Sequence, residues 1–134
     1  MTERDQHEYK ASLRVFSETL TLADLVASLG EPTRSYDVGD PVSPRRPDGP
    51  RRAVSHWALR SRAQPTSPLD EHLSELVVFV EAHSREIEAL RDKAEIDVFC
   101  GVFAGDDAQG GFTLTADLMR RLAALGLDVG FDLY

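Results

Sequence analysis

Cys100 is the only thiol in the chain and the obvious first candidate for a nucleophile. It stands between Val98 and Val102 on the apolar side of a strand-like run. A reactive thiolate needs exposure and an electropositive neighbour, so Cys100 reads as a buried structural thiol. His72 and His83 lie on or at the end of a helical stretch beside acids and read as surface histidines, while His7 falls in a charged terminus that reads as frayed. The run Gly105-Asp106-Asp107-Ala108-Gln109-Gly110-Gly111 has the composition of a cation or phosphate loop. It lacks the ligand spacing of an EF-hand, and no Walker lysine follows its glycines, so it reads as a strand-to-helix turn. Asp128 and Asp132 share one side of the closing strand with no third group to make them a catalytic pair. No catalytic set, metal site or cofactor motif emerges. The remaining candidates, Arg14, Arg34, Asp40, His56, Phe99 and Phe103, depend on the elements that carry them.

Those elements are legible from periodicity. Tyr9 to Phe16 alternates apolar and polar residues, the period of a half-buried strand. Thr21 with Asp24 resembles a capping box, and Leu22, Leu25, Val26 and Leu29 follow as one helical stripe that Gly30 and Pro32 end. From Glu31 to Arg52 five prolines and two glycines predict a long irregular loop. Val54 to Arg60 reads as a strand with Trp57 toward the core. Ser67-Pro68 starts a helix whose stripe is Leu69, Leu73, Leu76, Val77 and Val80, and a break at His83-Ser84 precedes a second helix with Ile87, Leu90 and Ala94. Ile96 to Phe103 is apolar on both sides, as a central strand is. Thr115 caps a last helix with the stripe Leu118, Met119, Leu122, Ala123 and Leu125, and Leu127 to Tyr134 alternates as a closing strand with one buried face.

Two halves reading strand, helix, strand flank the helical pair, and Thr19 to Leu25 echoes Thr113 to Leu118. The expected fold is α+β: a ferredoxin-like (split βαβ) four-stranded sheet from two βαβ halves, with the helical pair inserted between them. The chain of 134 residues reads as one domain, with residues 1–8 disordered.

Composition narrows the function. The net charge of −8 argues against nucleic acid, and no signal-peptide core or bilayer-length apolar run points to a membrane, so the expected location is the cytoplasm. The charge is uneven: residues 33–64 hold Arg34, Arg45, Arg46, Arg51, Arg52, Arg60 and Arg62 and carry about +4, which leaves about −12 for the rest. That segment reads as a solvated basic loop or as a docking surface.

The residues Ala11 to Ser17, Glu31 to Ser35, Gly39 to Pro41, Trp57 to Leu59, Pro68 to Leu73, Asp97 to Gly101 and Gly110 to Leu114 together resemble the bacterial family called domain of unknown function 4279. The resemblance spans nearly the whole chain and implies no established activity, substrate or catalytic residue. Strand parity adds a site. If Val98 and Cys100 face the helices, Phe99 and Phe103 face the other way, together with Arg14 and His56. The loop at 31–52 is the candidate cover, with Arg34 and Asp40 at its border. One expectation is a non-enzymatic binding protein of the immunity or inhibitor type that uses this face against a protein partner. The alternative is a small-molecule binder or enzyme that takes an anionic ligand between loop and sheet. Oligomeric state is open.

Overall fold

The computed structural model describes residues 7–105 and 111–134, so most of the turn read at Gly105 to Gly111 and the stretch before His7 lie outside the described residues. The elements are β1 (Glu8–Ser17), α1 (Leu22–Leu29), β2 (Arg34–Tyr36), β3 (Ser55–Arg60), α2 (Leu69–Ala82), α3 (Ser84–Leu90), β4 (Glu95–Phe103), α4 (Ala116–Ala124) and β5 (Asp128–Leu133). The class is α+β, as expected. The sheet has five strands in the order β2-β3-β1-β4-β5, not the four of the expected ferredoxin-like arrangement.

The extra strand lies inside the stretch read as irregular. Arg34, Ser35 and Tyr36 pair antiparallel with Ala58, Trp57 and His56, and the Thr33 amide donates to the Ala58 carbonyl at 2.8 Å. Three residues carry no periodicity of their own, so only the long-range partner reveals them. A ferredoxin-like sheet splits both βαβ halves. Here β3 stands between β1 and β2, whereas β4 and β5 are adjacent and parallel with α4 as their crossover. The two halves therefore differ in topology, and their shared feature is cap chemistry: Thr21 accepts from the Asp24 amide, and Thr115 from the Leu118 amide.

The contacts divide the chain into two compact units, one of residues 1–13, 60–82 and 97–134, the other of residues 14–59 and 83–96. In the first, α2 and α4 pack together, and Leu69, Leu73, Leu76, Val77, Val80, Leu118 and Leu122 are buried, as are Ala11, Leu13, Val98 and Cys100. Burial pushes the Cys100 thiol up to about 12, which suits the structural reading of that residue. The last helix buries less than its expected stripe: Met119 is 50% exposed and Ala123 is exposed. β5 is an edge strand: Leu127 is buried, whereas Phe131 and Leu133, expected on the same buried face, are exposed.

His72 is the clearest correction. It is only 2% exposed, with Nδ1 2.6 Å from the Ser61 hydroxyl and Nε2 2.9 Å from the Gln64 carbonyl. The carbonyl only accepts, so Nε2 carries the proton and Nδ1 accepts from Ser61. The pair ties the end of β3 to α2 and is enclosed by the core. His7 is likewise tied, its Nδ1 accepting from the Gly105 amide at 3.1 Å.

In the second unit α1 meets α3, and Val15, Leu25, Leu29, Trp57, Ile87 and Leu90 are buried. Trp57 faces inward as expected, its indole N–H donating to the Gly30 carbonyl at 2.9 Å. Residues 37–52 fold back on themselves: the Gly39 amide donates to the Arg52 carbonyl, the Arg52 amide to the Asp40 carbonyl and the Val42 amide to the Pro50 carbonyl. Asp37 anchors this excursion. Its Oδ1 accepts from the Leu22 amide at 3.0 Å, the Val38 amide at 2.9 Å and the Ser55 hydroxyl at 2.9 Å. The Leu22 and Ser55 hydrogen bonds hold its carboxyl below the usual carboxylate range.

Two outcomes follow. Replacing Asp37 with Ala leaves the first turn of α1 and Ser55 without their acceptor and should cost on the order of 1–2 kcal/mol in urea unfolding. Because the folded carboxyl is the stronger acid, the wild-type advantage should be full above about pH 4 and vanish as pH falls below that. His72→Ala opens a cavity and orphans Ser61, and should cost roughly 2–4 kcal/mol by the same measurement.

Candidate functional site

Register places the site in the second unit. Tyr36 lies opposite His56 and Arg34 opposite Ala58, so these four share the side of β2 and β3 opposite Trp57. Trp57 takes the inward position through its hydrogen bond to Gly30, which sends His56 outward. The His56 ring is nonetheless only 7% exposed. It stacks on Phe16 at 4.4 Å with an interplanar angle of 19° and meets Tyr36 at 5.0 Å. The Arg14 guanidinium lies over Phe16 at 5.2 Å and the Arg52 guanidinium over Tyr36 at 4.0 Å. The result is a row of three rings closed by a guanidinium at each end, with Arg34 exposed beside it. Cation–π contact holds both end arginines against flat supports.

The electrostatics of the row centre on His56. Burial pushes its pKa below the usual histidine value, and the positive fields of Arg14, Arg34 and Arg52 push the same way. The Val15 carbonyl, 3.3 Å from Nδ1, opposes them by accepting a hydrogen bond from it. At neutral pH the ring is therefore neutral, with its proton on Nδ1 and its Nε2 free to accept one. Arg52 adds a further polar group: its Nε is buried without a hydrogen-bond partner, against the face of Tyr36. Three arginines and one suppressed histidine thus share this side of β1, β2 and β3.

Of the sequence-predicted residues, Arg14, Arg34 and His56 come together here. Asp40 does not face them as a ligand: its Oδ2 accepts from the Asp37 amide at 2.8 Å and holds the turn. Phe16, Tyr36 and Arg52 were missed. Phe16 was available from the same parity that selected Arg14, and Tyr36 from its two-residue spacing to Arg34. Arg52 had no signal beyond its charge.

Phe99 and Phe103 belong to the other unit. The parallel register sets Asp97 against Asp128, Phe99 against Gly130 and Gly101 against Asp132, so one side of β4 and β5 shows aromatic rings among acids. The two glycines make room for the rings. A Cβ at Gly101 would lie 3.1 Å from the Phe103 ring, and one at Gly130 3.4 Å from the Phe99 ring. Phe103 finds its cover within this unit, stacked on Tyr134 at 4.6 Å with Lys10 5.1 Å from its centroid. The Tyr134 hydroxyl donates to Asp132, which raises its pKa.

Over residues 7–134 the sequence matches the family Domain of unknown function (DUF4279). The chain belongs to that family. No curated protein and no solved structure matches it. In this DUF4279 chain the family-like stretches Ala11–Ser17 and Trp57–Leu59 lie in β1 and β3, which carry Phe16 and, one residue earlier, His56. Among the described residues no three histidines, cysteines or carboxylates stand as a metal cluster, and no helix is long and apolar enough to cross a membrane.

The row predicts a measurable titration. By imidazole NMR, His56 should titrate below about 6.5, and Arg34→Gln or Arg14→Gln should each raise its pKa by removing a repelling charge. A folded state that resists protonation loses stability to the unfolded chain as pH falls below about 6.5 and loses nothing above it.

Proposed function

We propose that this protein is a non-catalytic binding module that takes an acidic protein surface on the arginine-capped row of β1, β2 and β3. The observation that carries the reading is the convergence of Arg14, Arg34 and Arg52 on a buried, neutral His56. Folding has placed like charges around a titratable group and has stacked two of them on rings. Carboxylates from a partner would offset that arrangement. Arginine and tyrosine are also the residues that carry most binding energy at protein interfaces, because each offers a rigid flat surface with polar ends.

A small anion in an enclosed pocket is supported less well. The cleft of about 430 Å³ in this unit is lined by Ser17, Glu18, Arg91, Asp92, Lys93 and Glu95 among others, and it shares only Phe16 with the row. Its three acids outnumber its two bases, so it offers an anion no net attraction. The row instead runs across β1, β3 and β2 with Arg34 exposed beside it, an extent that suits a macromolecule.

Anisotropy of a labelled octaglutamate peptide tests the reading. The wild-type chain should bind it, and Arg34→Glu should weaken binding by roughly tenfold or more while the melting temperature stays within the usual range for surface changes. Binding should also weaken as salt rises, because the charges are close to solvent. Equal affinity in wild type and Arg34→Glu would remove the row from the account.

A further inference from the structure

We propose that the first unit holds a second binding site, a cleft that takes a small alkylammonium ion, that is, a protonated amine with a short apolar tail. The site shares no residue with the arginine row and prefers the opposite charge.

Residues at the beginning of β1, at the beginning of α2 and ahead of α4 line a cleft of about 830 Å³, a volume within the range of small-molecule pockets. Among the described residues that line it, Asp70, in the first turn of α2, is the one carboxylate, and no lysine or arginine joins it. Thr66 and Thr113 add hydroxyl oxygens that accept hydrogen bonds from an ammonium group. A smaller cleft of about 220 Å³ shares the wall formed by His7, Tyr9, Gly111 and Phe112. Its other lining residues, Val102, Ala104, Leu133 and Tyr134, bring apolar surface. A polar compartment with one acid thus adjoins an apolar one.

The shared wall is already in place. The Tyr9 hydroxyl donates to the Gly111 carbonyl at 3.2 Å, and its ring meets Phe112 at 6.4 Å in an edge-on contact. Phe112 in turn stacks on Phe131 at 5.4 Å. A ligand therefore orders little of the chain when it binds. Phe112, Leu133 and Tyr134 are exposed, so an apolar tail gains by covering them.

Charge selects the head group. In sequence this unit holds thirteen acids against six bases, about −7 of the chain's −8. A field of that sign gathers cations, and aromatic rings attract them as well. A carboxylate head would meet Asp70 with no arginine or lysine beside it, and a neutral head would gain nothing from the field.

Isothermal titration calorimetry of the full chain near neutral pH supplies the test. Hexylammonium should bind, and hexanoate, with a tail of similar length and the opposite charge, should bind about tenfold more weakly or less. Asp70→Asn should weaken hexylammonium by about tenfold and strengthen hexanoate. Leu133→Asn should weaken hexylammonium too, and the methyl signals of Val102 and Leu133 should shift when it binds to the wild type. Nα-acetyl-lysine N-methylamide carries the same head on a peptide and should bind more weakly than hexylammonium. Equal or tighter binding of that amide would overturn the assignment to a free amine. No binding of hexylammonium at millimolar concentration, equal binding of hexanoate, or an affinity indifferent to Asp70→Asn would overturn the site. The row is tested apart from it: Arg34→Glu should leave hexylammonium binding unchanged, and Asp70→Asn should leave octaglutamate binding unchanged.

Discussion

The register of a three-residue strand on β3 is the constraint on which the rest depends. β2 holds too few residues to fix its own alignment, and a slip of one position would turn Arg34 and Tyr36 to the opposite side. The Asp37 carboxylate prevents that slip. It sits immediately after Tyr36 and accepts from the start of α1, from Val38 and from Ser55 at the start of β3. One side chain thus ties three elements, and Tyr36 stays opposite His56 as a result. The charge is close to solvent, so its desolvation is small beside the hydrogen bonds it receives, and it remains ionised.

The same strand settles which side chain becomes structural and which becomes available. Trp57 reaches the Gly30 carbonyl and closes the inner layer, which leaves His56 to the row. A histidine buried among three arginines has no structural advantage over an apolar residue of its size. Its ring does offer stacking to Phe16 and Tyr36 and a proton-accepting nitrogen that burial, with the arginines, keeps empty. The make-up of the row is therefore set by two neighbouring residues of β3 that point opposite ways.

Much of this was legible in the sequence, and the failures share a cause. Local signals held: the capping box at Thr21, the helix after Pro68, the inward Trp57, the buried Cys100 and the outward Arg14 and His56 all follow from spacing and side-chain chemistry. Long-range pairing did not. β2 has no period, and its proline-rich surroundings argued for a loop, yet its hydrogen bonds go to a strand some twenty residues later. Missing β2 hid Tyr36, and assuming equal halves led to the ferredoxin-like arrangement. His72 was misread because its acidic neighbours outweighed its place on the stripe of Leu69, Leu73 and Leu76, where a hydroxyl from β3 awaited it. The closing strand alternates like any half-buried strand, but at the sheet edge Leu133 is exposed and Phe131 is covered only in part, by Phe112.

The central claim is that burial, aided by the fields of Arg14, Arg34 and Arg52, holds His56 neutral until negative charge arrives from outside. Imidazole NMR of His56 with and without saturating octaglutamate measures this directly. Carboxylates that reach the row cancel the fields of Arg14, Arg34 and Arg52, so the His56 pKa should rise when the peptide is bound, and the peptide should bind more tightly at lower pH by the same linkage. A His56 titration that is identical with and without bound peptide would place the bound charge elsewhere and contradict the account.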